Sequence, residues 1–320
     1  MKSFLAAMIV LIATNALAET YPSRPITIIA PTTAGGPPDT IARLLSEPMR
    51  SVLGQPVVVE NVTGAGSTLG LTKAARAEPD GYTLSIGHLN SHVFSSLTYP
   101  VTYDVVNDFA PIAMLTVAPM AFFGRAGLPA DNVKELAAWL KANPGKATFG
   151  SVGLGGPARV WAAHFQSIIG TTMQFVPYRG AFAAVQDMLS GRIDLSASEA
   201  SNVRAHLTGG KIKVYAVLSN KRWAAAPDVP TIEESGVAAL QMPFWHGIWA
   251  PKGTPPAVIE KLNAAVTHAL ADPAVRAKMT QLGWEIVPRE QQTPQALAAH
   301  HKAEVDRWRV VIKASGVKAE

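Results

Sequence analysis

Two stretches of the chain repeat one arrangement of backbone that can bind an anion. Ile28-Ile29-Ala30-Pro31-Thr32-Thr33-Ala34-Gly35-Gly36-Pro37 runs from a β-branched strand pattern through glycines into a helical pattern. Thr148-Phe149-Gly150-Ser151-Val152-Gly153-Leu154-Gly155-Gly156-Pro157 does the same. Glycine permits the sharp turn, and proline suits the first helical turn because its missing N–H would have no helical partner there. A helix N-terminus reached this way offers unpaired N–H groups and a partial positive charge, so it holds an anion without a charged side chain. Two such loops facing each other across a cleft would clamp both ends of a dicarboxylate. Gly64-Ala65-Gly66-Ser67 is a third loop of this kind. The alternative for each loop is that Gly and Pro merely punctuate helices.

Signatures of catalysis are missing. No Gly-x-Ser-x-Gly elbow occurs. His88-Leu89-Asn90-Ser91-His92 has the i,i+4 histidine spacing of a zinc helix but lacks its glutamate. Gly64-x-Gly66-x-x-x-Gly70 resembles a dinucleotide loop, yet no Tyr-x-x-x-Lys exists to complete a short-chain dehydrogenase. With no cysteine in the chain, disulfides, thiolate catalysis and cysteine metal sites are excluded together. We therefore expect a binding protein, not an enzyme, with no cofactor and no metal.

The elements that must position these loops alternate. Ile26 to Ala30, Val57 to Val59, Tyr82 to Ile86, Ala147 to Phe149, Gln174 to Val176, Ile193 to Leu195 and Val214 to Leu218 read as strands. Helical patterns start at Asp39, run from Gly66 to Arg76, and cover Asn132 to Ala142, Ala158 to Ile169 and Ala181 to Leu189. The tail is helical over Pro256 to Leu270, Pro273 to Leu282 and Pro294 to about Ile312. Pro48 is expected to kink or shorten the first helix. Strands alternating with helices imply parallel α/β sheets covered on both faces. Ligands bind such sheets beyond the carboxyl ends of the strands, where the glycine loops fall.

The N-terminus sets the compartment. Met1 and Lys2, the apolar run Phe4 to Ala13 and Ala16-Leu17-Ala18 form a secretory signal peptide over residues 1–18, so the mature chain is expected in the periplasm. No cysteine follows the cleavage site to carry a lipid. At roughly 100–200 residues per domain, a chain of 320 residues suggests two domains. The net charge of +5 is spread thinly; its densest cluster, Lys211, Lys213, Lys221 and Arg222, is no nucleic-acid stripe. A mild positive field would help collect anionic solutes.

An ordered series of segments carries a family resemblance. Tyr21-Pro22-Ser23-Arg24-Pro25-Ile26-Thr27 opens it, followed by Ala34-Gly35-Gly36 with Asp39 and Ile41-Ala42-Arg43. Leu53 to Asn61, Gly64-Ala65-Gly66, Pro79 to Leu84 and Asp108 to Ile112 come next. Val176-Pro177-Tyr178-Arg179-Gly180, Gly191-Arg192-Ile193-Asp194 and Pro227 to Thr231 complete the series. The chain thus resembles the Bug-type periplasmic solute receptors of tripartite tricarboxylate transporters over nearly its whole mature length.

The resemblance implies a two-domain α/β clamshell of the periplasmic binding protein type, a Venus flytrap crossed twice by the chain. The crossings are expected near Ile112 to Val117 and Met242 to Gly247, giving domain I as residues 19–115 and 246–320 and domain II as 116–245. It implies a small carboxylate ligand, a mono- or dicarboxylate with an aromatic acid as one option, held largely by backbone amides and ordered water. Membrane subunits of the transporter would be the partners; a signalling sensor is the alternative, and a periplasmic enzyme a distant third. A monomer that binds no nucleic acid is expected.

Carried over by position, the first-domain site uses Thr32, Thr33, Ala34, Gly35, Gly36, Asp39, Gly64, Ala65, Gly66, Ser67, His88 and Asn90. The second-domain site uses Ser151, Gly153, Gly155, Gly156, Arg159, Tyr178, Arg179, Ala181 and Glu199. Thr32 stands where the family often has an aromatic, and Pro37-Pro38 where it is richer in glycine. Gly156 and Arg159 replace a Ser and a His. Arg159 is offered as a partner for a ligand carboxylate, or else as a solvated side chain. Asp39 reads better as a helix cap than as a contact, and Glu199 as facing the cleft or capping a helix.

Overall fold

The first strand, Ile26–Ala30 (β1), is buried at every residue but Thr27, as its apolar run requires. The helix after it, Pro37–Leu53 (α1), buries Ile41, Leu45, Met49 and Leu53, one residue per turn along a single face. It runs unbroken through Pro48, so the expected early end does not occur. The buried face continues on both sides of Pro48, and that packing outweighs the lost hydrogen bond. A computed structural model describes residues 21–207 and 209–317. The leader read at residues 1–18 lies outside the described residues.

Val57–Asn61 (β2), Thr68–Ala75 (α2), Thr83–His88 (β3), Ser95–Thr98 (α3) and Phe109–Ala118 (β4) follow in the first lobe. Pro119 alone joins β4 to Met120–Arg125 (β5), which already belongs to the second sheet. Val133–Ala142 (α4), Thr148–Val152 (β6), Pro157–Ile169 (α5), Gln174–Tyr178 (β7), Ala181–Leu189 (α6), Leu195–Glu199 (β8) and Ile212–Val217 (β9) build the second lobe. The chain returns over residues 218–243 into Phe244–Pro251 (β10). Pro256–Ala271 (α7), Pro273–Leu282 (α8), Glu285–Ile286 (β11) and Pro294–Ser315 (α9) finish the first lobe.

The strand orders are β11-β4-β10-β3-β1-β2 and β7-β6-β8-β5-β9. Both sheets are mixed, which corrects the expectation of parallel sheets. β1 pairs in parallel with β2 and β3, but β10 runs antiparallel to β3 and β4. β6 is parallel to β7 and β8, but β5 is antiparallel to β8 and β9. β5 and β10 enter their sheets straight from the other lobe, so no crossover helix precedes them to enforce the parallel direction, while β11 is a two-residue edge strand antiparallel to β4. The result is a clamshell of two α/β lobes with two crossings. One apolar cluster runs through both lobes, joining Met114, Trp245 and Trp308 of the first to Met120, Trp161 and Phe165 of the second. No helix among the described residues is long and apolar enough to cross a membrane.

Candidate functional site

The loop after β1 is held from below by one carboxylate. Asp39, buried in the first turn of α1, accepts hydrogen bonds from the Gly35 N–H (2.8 Å), Arg43 Nε (2.9 Å) and Asn61 Nδ2 (3.0 Å). Burial alone would raise its pKa, but those three donors outweigh it and hold it below the usual carboxylate range. Asn61 Nδ2 also donates to the Thr32 carbonyl (3.1 Å), and the Gly36 N–H to that of Thr33 (3.0 Å). Two of the loop's amides are thus spent on its own shape. Those of Thr33 and Ala34 have no partner among the described residues. Asp39 therefore shapes the loop, with its oxygens already occupied.

The loop after β2 is strained. Gly64, Ala65, Gly66 and Ser67 take four successive positive φ values, and two of these residues are not glycine. For Ala65 and Ser67 such conformations cost about 1–3 kcal/mol each and persist where surroundings fix them. Here Ser95 Oγ donates to the Gly66 carbonyl and the Ser67 N–H to that of Gly64.

β3 ends at His88, whose Nδ1 accepts the Ser91 N–H (3.2 Å), leaving its proton on Nε2. Burial, with His246 nearby, pushes the His88 pKa down to about 3, so the ring is neutral. Asn90 follows in a wide turn, Asn90–Phe94; its side chain is buried and its carboxamide has no partner among the described residues. His92 does not join His88 in a metal pair: its ring stacks on Trp249 (3.7 Å, 12°) and its Nδ1 meets Ser91 Oγ (3.0 Å).

In the second lobe, Ser151 is buried at the end of β6 and donates to the Gly153 carbonyl (3.2 Å). The Gly153 N–H donates to Tyr178 (3.0 Å). Gly156 caps α5 with its backbone only, and the amides of Gly155, Gly156 and Ala158 have no partner among the described residues. After β7, Tyr178 turns its hydroxyl to Asp187 (2.8 Å), Arg179 is exposed, and Gly180 and Ala181 open α6. Arg159 lies with its guanidinium 3.2 Å from the Phe175 ring centroid. That cation–π contact gives it an internal role and offsets its placement near a helix N-terminus.

These loops meet across the lobes. A Cβ on Gly153 would stand 2.9 Å from the Tyr99 hydroxyl and 3.9 Å from Gly66 Cα. One on Gly155 would stand 2.4 Å from Thr98, one on Gly156 3.5 Å from Asn90 Oδ1, and one on Gly180 3.3 Å from Thr33 Oγ1. The Leu154 N–H donates to the Tyr99 hydroxyl (3.2 Å). Glu199 joins the lobes deeper down: its Oε2 lies 3.2 Å from His246 Nε2 on β10, and Trp284 Nε1 and Ser201 Oγ donate to its Oε1. Burial opposes its ionisation, yet His246 and Trp284 hold its pKa below the usual range. Thr116 Oγ1 backs His246 at Nδ1 (3.0 Å).

Thr98, Tyr99 and His246 were not read from the sequence. Nothing around Thr98-Tyr99-Pro100 forms a motif. Their positions follow from the wide turn and from β10 crossing between the lobes.

A clamshell whose glycine loops and bare helix N-termini converge between two lobes defines a bilobal solute-binding protein. The chain belongs to the family described as tripartite tricarboxylate transporter family receptor, whose model matches residues 41–317. It is 39% identical over 298 residues to the UPF0065 protein in the TAR-I ttuE-ttuC' intergenic region of Agrobacterium vitis, covering 93% of this chain and 86% of that one. It is 33% identical over 326 residues to protein BugT of Bordetella pertussis, 99% of each. Among solved structures, the periplasmic binding protein BugD matches with a TM-score of 0.87 and 39% identity, over 94% of this chain and 100% of BugD. MatC from Rhodopseudomonas palustris with bound malate matches with a TM-score of 0.86 and 35% identity, over 91% and 100%. Rpa4515 of R. palustris with adipate matches with a TM-score of 0.87 and 29% identity, over 93% and 99%.

Proposed function

We propose that this chain is a periplasmic receptor that captures a small carboxylate between its lobes and delivers it to the membrane subunits of a tripartite transporter. It binds its solute without transforming it. The observation that carries this reading is the N-terminus of α5. Three of its amides, those of Gly155, Gly156 and Ala158, have no partner among the described residues, and Thr98 and Asn90 of the other lobe stand against Gly155 and Gly156. That is an anion site that only closure of the lobes completes. The malate and adipate in two relatives support a carboxylate as the anion. The leader at Met1 to Ala18 supports export.

The test is thermal stabilisation by a panel of mono- and dicarboxylates. A ligand that binds only the folded state at a hundred times its Kd adds about 2.7 kcal/mol. At least one carboxylate should raise Tm clearly. If sugars or nucleotides alone do so, the reading is wrong.

A further inference from the structure

Asn90 has a chemistry that a simple carboxylate does not satisfy. The residue is only 9% exposed, and its carboxamide meets no donor or acceptor among the described residues. It is aimed at the N-terminus of α5, with Oδ1 3.5 Å from where a Cβ on Gly156 would stand. α5 is 13 residues long, and its first amides are unpartnered. An anion seated on those amides therefore lies against the carboxamide. A carboxylate has only acceptors, so it satisfies the Nδ2 hydrogens and leaves Oδ1 without a donor. Once the ligand and the closed lobes exclude water from it, a carbonyl without a donor is costly, and exchanging the oxygen and nitrogen of the amide only moves the problem to the other atom.

We infer that the ligand carries a hydroxyl on the carbon next to its carboxylate, a 2-hydroxy acid, and that Asn90 is the residue that reads it. The hydroxyl donates to Oδ1 while the carboxylate accepts from the α5 amides and from Nδ2. An ammonium at that carbon would also donate, but it would stand at the positive end of the helix, where cations are disfavoured. This inference rests on the carboxylate-receptor reading and narrows it to one ligand class.

Isothermal titration with matched pairs tests it: malate against succinate, 2-hydroxyglutarate against glutarate, and lactate against propanoate, with aspartate as the amino counterpart. We expect the hydroxy acid of at least one pair to bind about tenfold tighter than its deoxy partner, the effect of one buried hydrogen bond that is otherwise unmade. In Asn90→Leu that ratio should fall to about one, with both acids binding more weakly because the Nδ2 bond to the carboxylate is lost as well. Asn90→Ala serves the same purpose if the leucine variant does not fold. A ratio near one in the wild type for every pair that binds overturns the inference. So does a ratio that survives loss of the Asn90 amide, or aspartate binding tighter than malate. In those cases the carboxylate receptor stands. If none of these compounds binds while another mono- or dicarboxylate raises Tm, this inference falls and the receptor reading stands; if no carboxylate does either, both fall.

Discussion

Glu199 and His246 come from different sheets and meet in the interior, with 3% and 0% of their surfaces exposed. Their oxygen and nitrogen are 3.2 Å apart, but off-axis for a hydrogen bond, so the contact is electrostatic and the directional bonds to Glu199 come from Trp284 and Ser201. Removing the carboxylate would leave the Trp284 N–H buried without an acceptor and take away the negative charge beside His246 Nε2, whose ring would keep only Thr116. We expect Glu199→Ala to destabilise the fold by about 3–5 kcal/mol, the usual loss when one member of a buried pair is removed. Glu199→Gln keeps an acceptor for Trp284 and should cost less. Urea denaturation of the two variants checks this; equal stability of Glu199→Ala and wild type would mean that the pair does not pin the lobes. The glycines separate in the same way. Gly35 has a φ of +80° with open space around its Cβ position, so Gly35→Val should cost backbone strain and leave closure free. A Cβ on Gly155 would stand 2.4 Å from Thr98, so Gly155→Val should block closure. We expect the Gly155 variant to lose carboxylate binding at least tenfold more than the Gly35 variant, measured by titration; equal losses would mean that both loops act only through their backbone shape.

Buried histidines tie together the elements of the first lobe. His301 on α9 donates through Nε2 to the His92 carbonyl (2.7 Å), and His88 closes β3 against the same turn. Burial pushes all three below their ordinary pKa, His88 to about 3, His301 to about 4 and His92 well down. Each stays neutral in the folded chain at mild acidity, whereas in the unfolded chain it takes up a proton near its ordinary value of about 6.5. Their contribution to stability is therefore complete above about pH 6.5 and is lost as the pH falls toward 4. Each such histidine contributes a slope of about 1.4 kcal/mol per pH unit within that window. We expect Tm to fall steeply between pH 6.5 and 4.5, with proton uptake on unfolding; a flat Tm over that range would place these rings in contact with water. The strand–helix units were legible because their signals are local. Ala181–Leu189 and Pro273–Leu282 were bounded by their own turn residues and fall where the sequence put them. The glycine loops were legible for the same reason. The antiparallel strands were not, because nothing near Pro119 says which sheet receives β5. Nor was the link from Glu199 to His246, whose partners are brought together only by β10 crossing between lobes. Asp39 looks like a cap from its place at the helix start, but Gly36 holds the cap position; Asp39 stands in the first turn and holds Gly35 together with Asn61, which β2 supplies.

The whole molecule must open to admit a solute and close to hold it, and its lack of cysteine makes that motion testable with one engineered bond. Thr33 in the first lobe and Gly180 in the second face each other across the cleft. A Cβ on Gly180 would lie 3.3 Å from Thr33 Oγ1 and 3.7 Å from its Cγ2. Thr33 Oγ1 marks where the sulfur of Thr33→Cys would sit, and Thr33 Cβ lies beyond 4 Å from the Gly180 Cβ position, toward the upper end of the about 3.5–4.5 Å that separates the Cβ atoms of a disulfide. Gly180 has a φ of −166°, extended backbone that any residue adopts, so Gly180→Cys adds no strain. The double variant carries a single thiol pair, and oxidation can join only the two lobes. We expect the oxidised protein to trap a carboxylate that is present while the bond forms, and to exclude one added afterwards. Release of trapped ligand should slow by at least a hundredfold relative to the reduced protein, and a reductant should restore it. Two rates decide the matter, chase-out of bound ligand under oxidising and under reducing conditions. Equal rates would mean that ligand enters without the lobes parting at Thr33 and Gly180. Failure of the thiols to pair, read by titrating free thiol, would mean that the two loops do not meet in solution.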